Sequence, residues 1–510
     1  MKHLHILLKN ILSFTPALYS FITFAGNQPG GPINYQPVFT ETSCPFPITE
    51  EHHKQIRCGT VKVPENYENP DGRQLKLAVA VLPSLANEPV SDPVIFIPGG
   101  PGSAGLGSAT LTWHEPLRQH RDMILFDPRG VGESEPEICK AFTRDWWNVT
   151  YFSGLGKDER LAAQVNLLEA CRSEADKAGV DLSQYHSKNH ARDLEMIRIA
   201  LGYESWNLFG RSYGSRVALE AMRTHPAGIR TLILDGPSPP NAKSWYREEY
   251  FDEVLYRIFE LCTVDSACSA AYPGIREKFR KTFLELQQNP LMIKTGSIAE
   301  LPDTIVFNDA SFVHGIFSAL YSKRTIEMVP FIIQTFSEVD KQTLMQLVPL
   351  LLRNPDNRTF WVYLSVNCYE KFPFRGAPAD ISLLSRDRAL IRESGFDPDD
   401  EICNYLHPFR ASPHETEPII SDIPTLIFVG EFDPATHRDF ADLTAMTLSS
   451  SAQINIPGTG HDSAASFPCT RDIITDFLNN PFFLPDASCI NQMPSVRFIT
   501  DRSKLIRTTQ

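Results

Sequence analysis

A serine flanked by two glycines is the strongest chemical signal in the chain. Residues 210–214 read Gly-Arg-Ser-Tyr-Gly, after an apolar run that ends at Phe209 and before a helix-like run at 215–222. This order predicts a strand, a sharp turn and a helix, which is the arrangement of a nucleophile elbow. Glycines suit such a turn because its backbone is strained and closely packed. We therefore expect Ser212 to act as a nucleophile.

A serine hydroxyl is a weak nucleophile and needs a base held by a third group. The apolar run 424–430 is followed by a loop containing Asp433, and a short strand-like run, 452–456, is followed by a loop containing His461. Serine, acid and histidine occur in this chain order in folds that carry the elbow. We expect Asp433 to orient His461. Glu431 is the alternative acid, but its surroundings match less well.

A glycine-rich turn lies upstream of the serine. Residues 93–97 form an apolar run that leads into Pro-Gly-Gly-Pro-Gly at 98–102. In the elbow fold, a turn at this place supplies one oxyanion donor, and the residue after the nucleophile supplies the other. The predicted oxyanion hole therefore consists of the backbone N–H groups of Gly100 and Tyr213.

The same turn allows a second interpretation. Residues 100–105 fit Gly-x-Gly-x-x-Gly, and Asp127 ends the next strand-like run, which imitates a dinucleotide-binding fingerprint. This pattern leaves the serine, the acid and the histidine unexplained. A strand-like segment, 75–82, also precedes it, whereas the fingerprint usually follows the first strand. A dinucleotide oxidoreductase is thus the minority hypothesis.

Four segments together resemble a known family: 98–102, 127–134, 210–214 and 458–461. They are similar to the α/β-hydrolases related to proline iminopeptidase, and most closely to the tripeptidyl-aminopeptidase-like branch. The resemblance implies an α/β-hydrolase fold: a mostly parallel central sheet, helices on both faces and an inserted, mainly helical cap domain. It also implies a serine aminopeptidase that needs no cofactor or metal.

An aminopeptidase must bind a free α-ammonium, which needs an acidic partner once it leaves water. Residues 368–371, Cys-Tyr-Glu-Lys, resemble the family's Cys-x-Glu-Asp segment, which implies that Glu370 binds the amine. Lys371 replaces the second acid. The alternative is that Glu370 only pairs with a neighbouring base. Weaker candidates at the cap entrance are Glu248, Glu249 and Asp252.

The long sequence separation between Ser212 and Asp433 determines the predicted domain organisation. We expect a signal peptide at 1–26, the first part of the core at 27–241, a helical cap at 242–417 and the second part of the core at 418–510. Apolar residues at helical spacing predict cap helices at 251–262, 275–288 and 325–336.

Composition and cysteine usage favour export. The 510-residue chain has a net charge of −13, which argues against nucleic acid or an anionic membrane as a partner. A positive start and a short, interrupted apolar run favour a cleaved signal peptide over a stable membrane span. Ten cysteines fit disulfides in a secreted or periplasmic protein. Their spacing suggests the pairs Cys44–Cys58, Cys139–Cys171, Cys262–Cys268, Cys368–Cys403 and Cys469–Cys489.

The expected function is an exported serine aminopeptidase that releases tripeptides or proline from peptides with a free N-terminus. An esterase or amidase on the same scaffold is the first alternative, because a fold does not fix its substrate. A catalytically inactive binding protein is the second. The sequence leaves the oligomeric state open.

Overall fold

A computed structural model describes residues 35–46, 56–110, 114–242, 247–295, 301–351, 358–374, 385–395, 400–461 and 464–501. The predicted signal peptide lies outside these residues. Within the described part of the chain, a nine-stranded sheet has the order β1-β2-β3-β5-β4-β6-β7-β10-β11. The strands are β1 (Phe39–Thr42), β2 (Arg57–Pro64), β3 (Gln74–Leu82), β4 (Val90–Ile97), β5 (Arg121–Phe126), β6 (Trp206–Arg211), β7 (Ile229–Asp235), β10 (Thr425–Gly430) and β11 (Ser451–Ile456), with a separate pair β8 (Leu291–Lys294) and β9 (Thr304–Phe307).

Helices occupy most of the remaining described chain. Seven of them connect or flank the strands of the large sheet: α1 (Phe142–Trp147), α2 (Lys157–Ala178), α3 (Ser187–Leu201), α4 (Tyr213–Thr224), α15 (Arg438–Ala445), α16 (Pro468–Asn479) and α5 (Arg247–Val264), which follows β7. The others lie between α5 and β10: α6 (Ser266–Ala271), α7 (Ile275–Gln288), α8 (Asp309–Ala319), α9 (Lys323–Ile326), α10 (Val329–Glu338), α11 (Lys341–Leu351), α12 (Phe360–Glu370), α13 (Arg386–Glu393) and α14 (Cys403–Leu406).

The centre of the sheet positions the site. From β5 to β11 the neighbouring strands pair in parallel, whereas β1, β2 and β3 pair antiparallel. Strand β10 is buried at every residue, and its apolar sequence suits a strand covered on both faces. Parallel strands end at one edge, so the loops after β4, β6, β10 and β11 meet there.

The segment between β7 and β10, here called the insertion, is mainly helical but also contains the antiparallel pair of β8 and β9. The helix predicted at 275–288 coincides with α7. The helix predicted at 325–336 is confirmed only in part: the structure divides this segment between α9 and α10, which are separated near Met328. Pro330 explains the break, because proline lacks an N–H and is tolerated only in the first turn of a helix.

All five predicted disulfides are formed: Cys44–Cys58, Cys139–Cys171, Cys262–Cys268, Cys368–Cys403 and Cys469–Cys489. Such bonds persist in oxidising compartments, so they fit an extracellular protein. Among the described residues, no helix is long and apolar enough to cross a bilayer.

Candidate active site

Ser212 occupies a strained turn between β6 and α4. Its φ is 56° and its ψ is −123°, a conformation that side-chain-bearing residues rarely adopt. Such strain costs about 1–3 kcal/mol and persists only where the surroundings impose it. Two backbone hydrogen bonds hold the turn: Ser212 N donates to Asp235 O at 2.8 Å, and Ser215 N donates to Ser212 O at 2.9 Å.

The two motif glycines are required by close backbone contacts. A Cβ at Gly210 would lie 2.5 Å from the carbonyl oxygen of Gly214. A Cβ at Gly214 would lie 2.1 Å from the carbonyl oxygen of Ile97, which is part of β4. The elbow therefore packs directly against the strand that leads into the glycine-rich turn.

Asp433 and His461 meet at the ends of β10 and β11. His461 Nδ1 donates to Asp433 Oδ2 at 2.8 Å, and both side chains are buried. The other oxygen, Asp433 Oδ1, accepts the N–H groups of Ala435 and Thr436, each at 2.8 Å. Glu431, the alternative acid, instead accepts the N–H of Gly458 at 2.8 Å. Of the two acids, Asp433 is therefore the one hydrogen-bonded to the histidine.

Two supporting residues were not expected from the sequence. The hydroxyl of Thr436 donates to Asp433 Oδ2 at 2.7 Å and lies 3.1 Å from His461 Nδ1. Its position three residues after an aspartate is a turn signal that could have been used. Tyr321, from the insertion, meets the ring of His461 edge-on at 4.8 Å between centroids. No sequence pattern links Tyr321 to the histidine, because only tertiary packing brings them together.

The glycine-rich turn after β4 lies against Ser212. A Cβ at Gly99 would lie 3.0 Å from the Cβ of Ser212, and Gly100 has a φ of 110°, which favours glycine. Tyr213 is the first residue of α4, and the helix itself does not use the N–H of that position. Gly99, Gly100 and Tyr213 all line the cavity that contains Ser212.

The hydrogen bonds of Asp127 are not those expected of a residue that binds a ribose. Its carboxylate accepts the N–H groups of Gly105, Leu106 and Glu133 at 2.8–2.9 Å, and burial raises its pKa. Nearby, Arg129 is fully buried and makes a bidentate pair with Asp193 at 2.7 and 2.6 Å. These hydrogen bonds and this ion pair stabilise the loop beside the glycine turn.

The comparisons with known proteins agree with this geometry. Residues 92–269 match the α/β-hydrolase fold family, and residues 396–489 match the family of TAP-like proteins. Both matches agree with the α/β-hydrolase fold that the sheet topology of the chain shows.

Individual relatives cover different shares of this α/β-hydrolase. It is 31% identical to a tripeptidyl aminopeptidase of Streptomyces coelicolor over 40% of the chain and 39% of that protein. It is 25% identical to the serine protease Hip1 of Mycobacterium tuberculosis over 74% of the chain and 76% of that protein. The chain thus spans less than half the length of the first relative. A solved structure, the proline iminopeptidase of Mycobacterium smegmatis, aligns with a TM-score of 0.42 and 13% identity over 83% of this chain and 98% of that one.

The surroundings of Glu370 differ from those expected of a residue that binds the substrate amine. The carboxylate is buried, lies 3.0 Å from Nε of Arg216 and accepts the hydroxyl of Ser187 at 2.6 Å. It is not among the residues that line the cavity around Ser212. The structure therefore corresponds to the alternative in which Glu370 pairs with a neighbouring base, and α12 is held against α4 by that pair.

The weaker amine-binding candidates are also paired, with side chains of α13 or of the residue before it. Glu248 lies 2.5 Å from Arg392, and Glu249 lies 3.4 Å from Arg388. Asp252 accepts the hydroxyl of Ser385 at 2.8 Å. Like Glu370, these three carboxylates do not line the cavity.

The pair of Glu370 and Arg216 continues into a polar chain beneath the elbow. Ser187 Oγ shares a 3.0 Å hydrogen bond with the Tyr213 hydroxyl, which lies 2.9 Å from His190 Nδ1. Burial, assisted by the charge of Arg129, lowers the pKa of His190 to about 3, so its ring is neutral at physiological pH. This chain links α12 of the insertion to the residue directly after the nucleophile.

The cavity around Ser212 has a volume of about 220 Å³ and receives residues from both the sheet edge and the insertion. Ser212, His461 and the turn at 99–100 form its floor, and α12 contributes Tyr363 and Asn367. A partly enclosed cavity of this kind can limit the access of water to an acyl intermediate while admitting a short chain segment.

Proposed function

We propose that this α/β-hydrolase is an exported serine aminopeptidase that releases short peptides from the free N-terminus of a peptide. The observation that carries the proposal is the meeting of the Ser212 elbow with the Asp433–His461 pair at one cavity. The tripeptidyl aminopeptidases and the serine protease among its relatives support peptide bonds as the target.

In the proposed reaction, Ser212 Oγ attacks the scissile carbonyl carbon while His461 takes the serine proton. Asp433 holds His461 in the required tautomer and stabilises its cation. The N–H groups of Gly100 and Tyr213 stabilise the oxyanion, and each such donor contributes about 3 kcal/mol. His461 then protonates the leaving amine, and water releases the acyl group from Ser212.

The charge around the nucleophile favours a peptide over a single residue as the acyl group. Arg211, Arg358 and Lys371 line the cavity. The ammonium of a single bound residue would lie beside these cations, whereas the two additional residues of a tripeptide place it about 7 Å farther along the chain. We therefore propose tripeptidyl release rather than prolyl release.

We also propose that residues 242–417 act as a cap that limits the length of the acyl group. The packing of Tyr321 against His461 and the entry of α12 into the cavity support this role. Export is supported by the five disulfides.

An esterase is the second candidate. The observation that favours it is the absence of Asp or Glu from the described residues that line the cavity, since an amine ligand there would be expected to be acidic. In this case Ser212 would act on neutral acyl esters.

A fluorogenic panel tests both candidates. It contains a free tripeptide, its N-acetylated form, single Pro and Ala residues and a short ester, each assayed with the wild type and with Ser212→Ala. We expect the free tripeptide to be the best substrate and all turnover to disappear in the variant. Cleavage of the ester alone would move the protein to the esterase candidate.

A further inference from the structure

The cavity beside Ser212 is lined by cations and, among the described residues, by no carboxylate. Arg211, Arg358 and Lys371 contribute positive charge, and the remaining described lining residues are neutral or histidine. In a partly enclosed site, where water screens less, such a lining favours a negative group and disfavours an ammonium. The protein as a whole is acidic, with a net charge of −13, so this local charge is opposite in sign to the overall one.

Arg358 is held in place beside the glycine-rich turn. Thr359 N donates to the carbonyl oxygen of Gly102 at 2.7 Å, and an isolated bridge joins Arg358 to Ser103. The carbonyl of Arg358 accepts the Thr143 hydroxyl at 3.0 Å. These bonds fix the backbone of Arg358 next to the turn that contacts Ser212.

The guanidinium of Arg358 is also ordered by an aromatic ring of α12. It lies 6.0 Å from the centroid of Tyr363, which lines the same cavity. A planar guanidinium that already rests on a ring loses less freedom on binding, and it can bind a carboxylate through two parallel hydrogen bonds. Arg358 is thus prepared for a carboxylate rather than for a neutral carbonyl.

Helix α12 presents one face to the cavity. Tyr363 and Asn367 are four residues apart and lie on the same side of the helix. Lys371 directly follows the last residue of the helix, its N–H donates to the carbonyl oxygen of Asn367, and all three residues line the cavity. Glu370 lies off this face and is paired with Arg216. The pattern places Lys371 in the lining of the cavity and keeps the neighbouring Glu370 out of it.

We propose that Arg358 and Lys371 bind a carboxylate of the substrate, which makes the enzyme selective for peptides that carry a carboxylate near the scissile bond. The carboxylate belongs either to an Asp or Glu side chain near the scissile bond or to the C-terminus of a short leaving peptide. The inference rests on the proposed peptidase function and adds the charge of its substrate.

The experiment compares matched substrates that differ only in charge. One pair of fluorogenic tripeptides carries Glu or Gln at the residue that is acylated. A second pair, neutral in the acyl part, has a dipeptide leaving group that ends in a free carboxylate or an amide. Values of kcat/KM are measured for the wild type, Arg358→Gln and Lys371→Gln, and for Lys281→Gln as an exposed control on α7.

We expect the wild type to prefer the acidic member of one pair by at least tenfold. The preference should fall to within about twofold in Arg358→Gln and decrease in Lys371→Gln, while the neutral member changes little. The control should keep the wild-type preference. The pair that shows the effect identifies whether the carboxylate is on the acyl side or on the leaving side.

The inference fails on its own if the neutral members are cleaved as well as the acidic ones, or if Arg358→Gln slows both members of a pair equally. The proposed peptidase function fails separately if no peptide of any charge is cleaved while a neutral ester is. Labelling of Ser212 by a fluorophosphonate in each variant confirms that a loss of preference does not come from a disordered elbow.

Discussion

At the scale of single residues, the neighbours of each side chain in the site hold it in one position. Asp433 has both oxygens occupied, by His461, by the hydroxyl of Thr436 and by two backbone N–H groups. This carboxylate is therefore fixed in place and kept ready to stabilise a histidine cation. The strained backbone of Ser212 serves the same purpose at the nucleophile.

Replacement of Asp433 by Asn should lower kcat by about 10⁴-fold, because the amide holds His461 in the wrong tautomer. The matched control is Glu431→Gln, since Glu431 accepts the N–H of Gly458 rather than bonding to His461 and should leave kcat within twofold. Steady-state kinetics on the best tripeptide and circular dichroism of both variants check this. Equal losses in the two variants would contradict the assignment of the acid.

Glu220 gives a prediction about pH and stability. Burial raises the pKa of its carboxyl to about 7, although Arg223 opposes the shift. A carboxyl whose pKa is higher in the folded than in the unfolded state stabilises the fold at low pH, and that contribution is lost as the pH rises through about 7. The melting temperature of Glu220→Gln, measured relative to that of the wild type at the same pH, should therefore increase as the pH is raised from 5 to 8. A difference that stays constant over that range would show that Glu220 does not titrate there.

At the scale of elements, much of the site could be predicted from the sequence because its residues follow strands. Ser212, Asp433 and His461 each come after an apolar run, and parallel strands end at one edge. The role of Glu370 could not be predicted in this way, because the face that α12 turns towards α4 is decided by tertiary packing. Pro330 was visible in the sequence, and its effect on the predicted helix at 325–336 was overlooked.

The pair of Glu370 and Arg216 should act as an anchor between α12 and α4. Glu370→Gln leaves a buried arginine without its counter-charge, which typically costs about 3–5 kcal/mol. We expect a lower melting temperature and an equal loss of kcat/KM for the free and the N-acetylated tripeptide. If Glu370 instead binds the substrate amine, the preference for the free tripeptide would disappear while the melting temperature stays unchanged.

At the scale of the whole molecule, disulfides cross-link the helical insertion as well as the segments around the sheet. Cys368–Cys403 joins α12 to α14 across 35 residues, whereas Cys262–Cys268 closes a separation of only 6 residues. The first disulfide therefore restrains the unfolded chain more. In the folded protein it lies next to the cavity.

Removing these two disulfides separately should have unequal effects. The loop-entropy model predicts a loss of about 4 kcal/mol for Cys368→Ser with Cys403→Ser, and about 2 kcal/mol for Cys262→Ser with Cys268→Ser. Denaturant unfolding of the two double variants measures the difference. The smaller-loop variant is the control, and an equal or larger loss there would contradict the entropic account.

The central claim is that Ser212 is the nucleophile activated by His461 and Asp433, and intact-mass labelling with a fluorophosphonate tests it most directly. The account predicts one covalent adduct per chain in the wild type, located on Ser212 by peptide mapping. It predicts no adduct in Ser212→Ala and much slower labelling in His461→Ala. An unlabelled wild type, or a Ser212→Ala variant labelled at the wild-type rate, would contradict it.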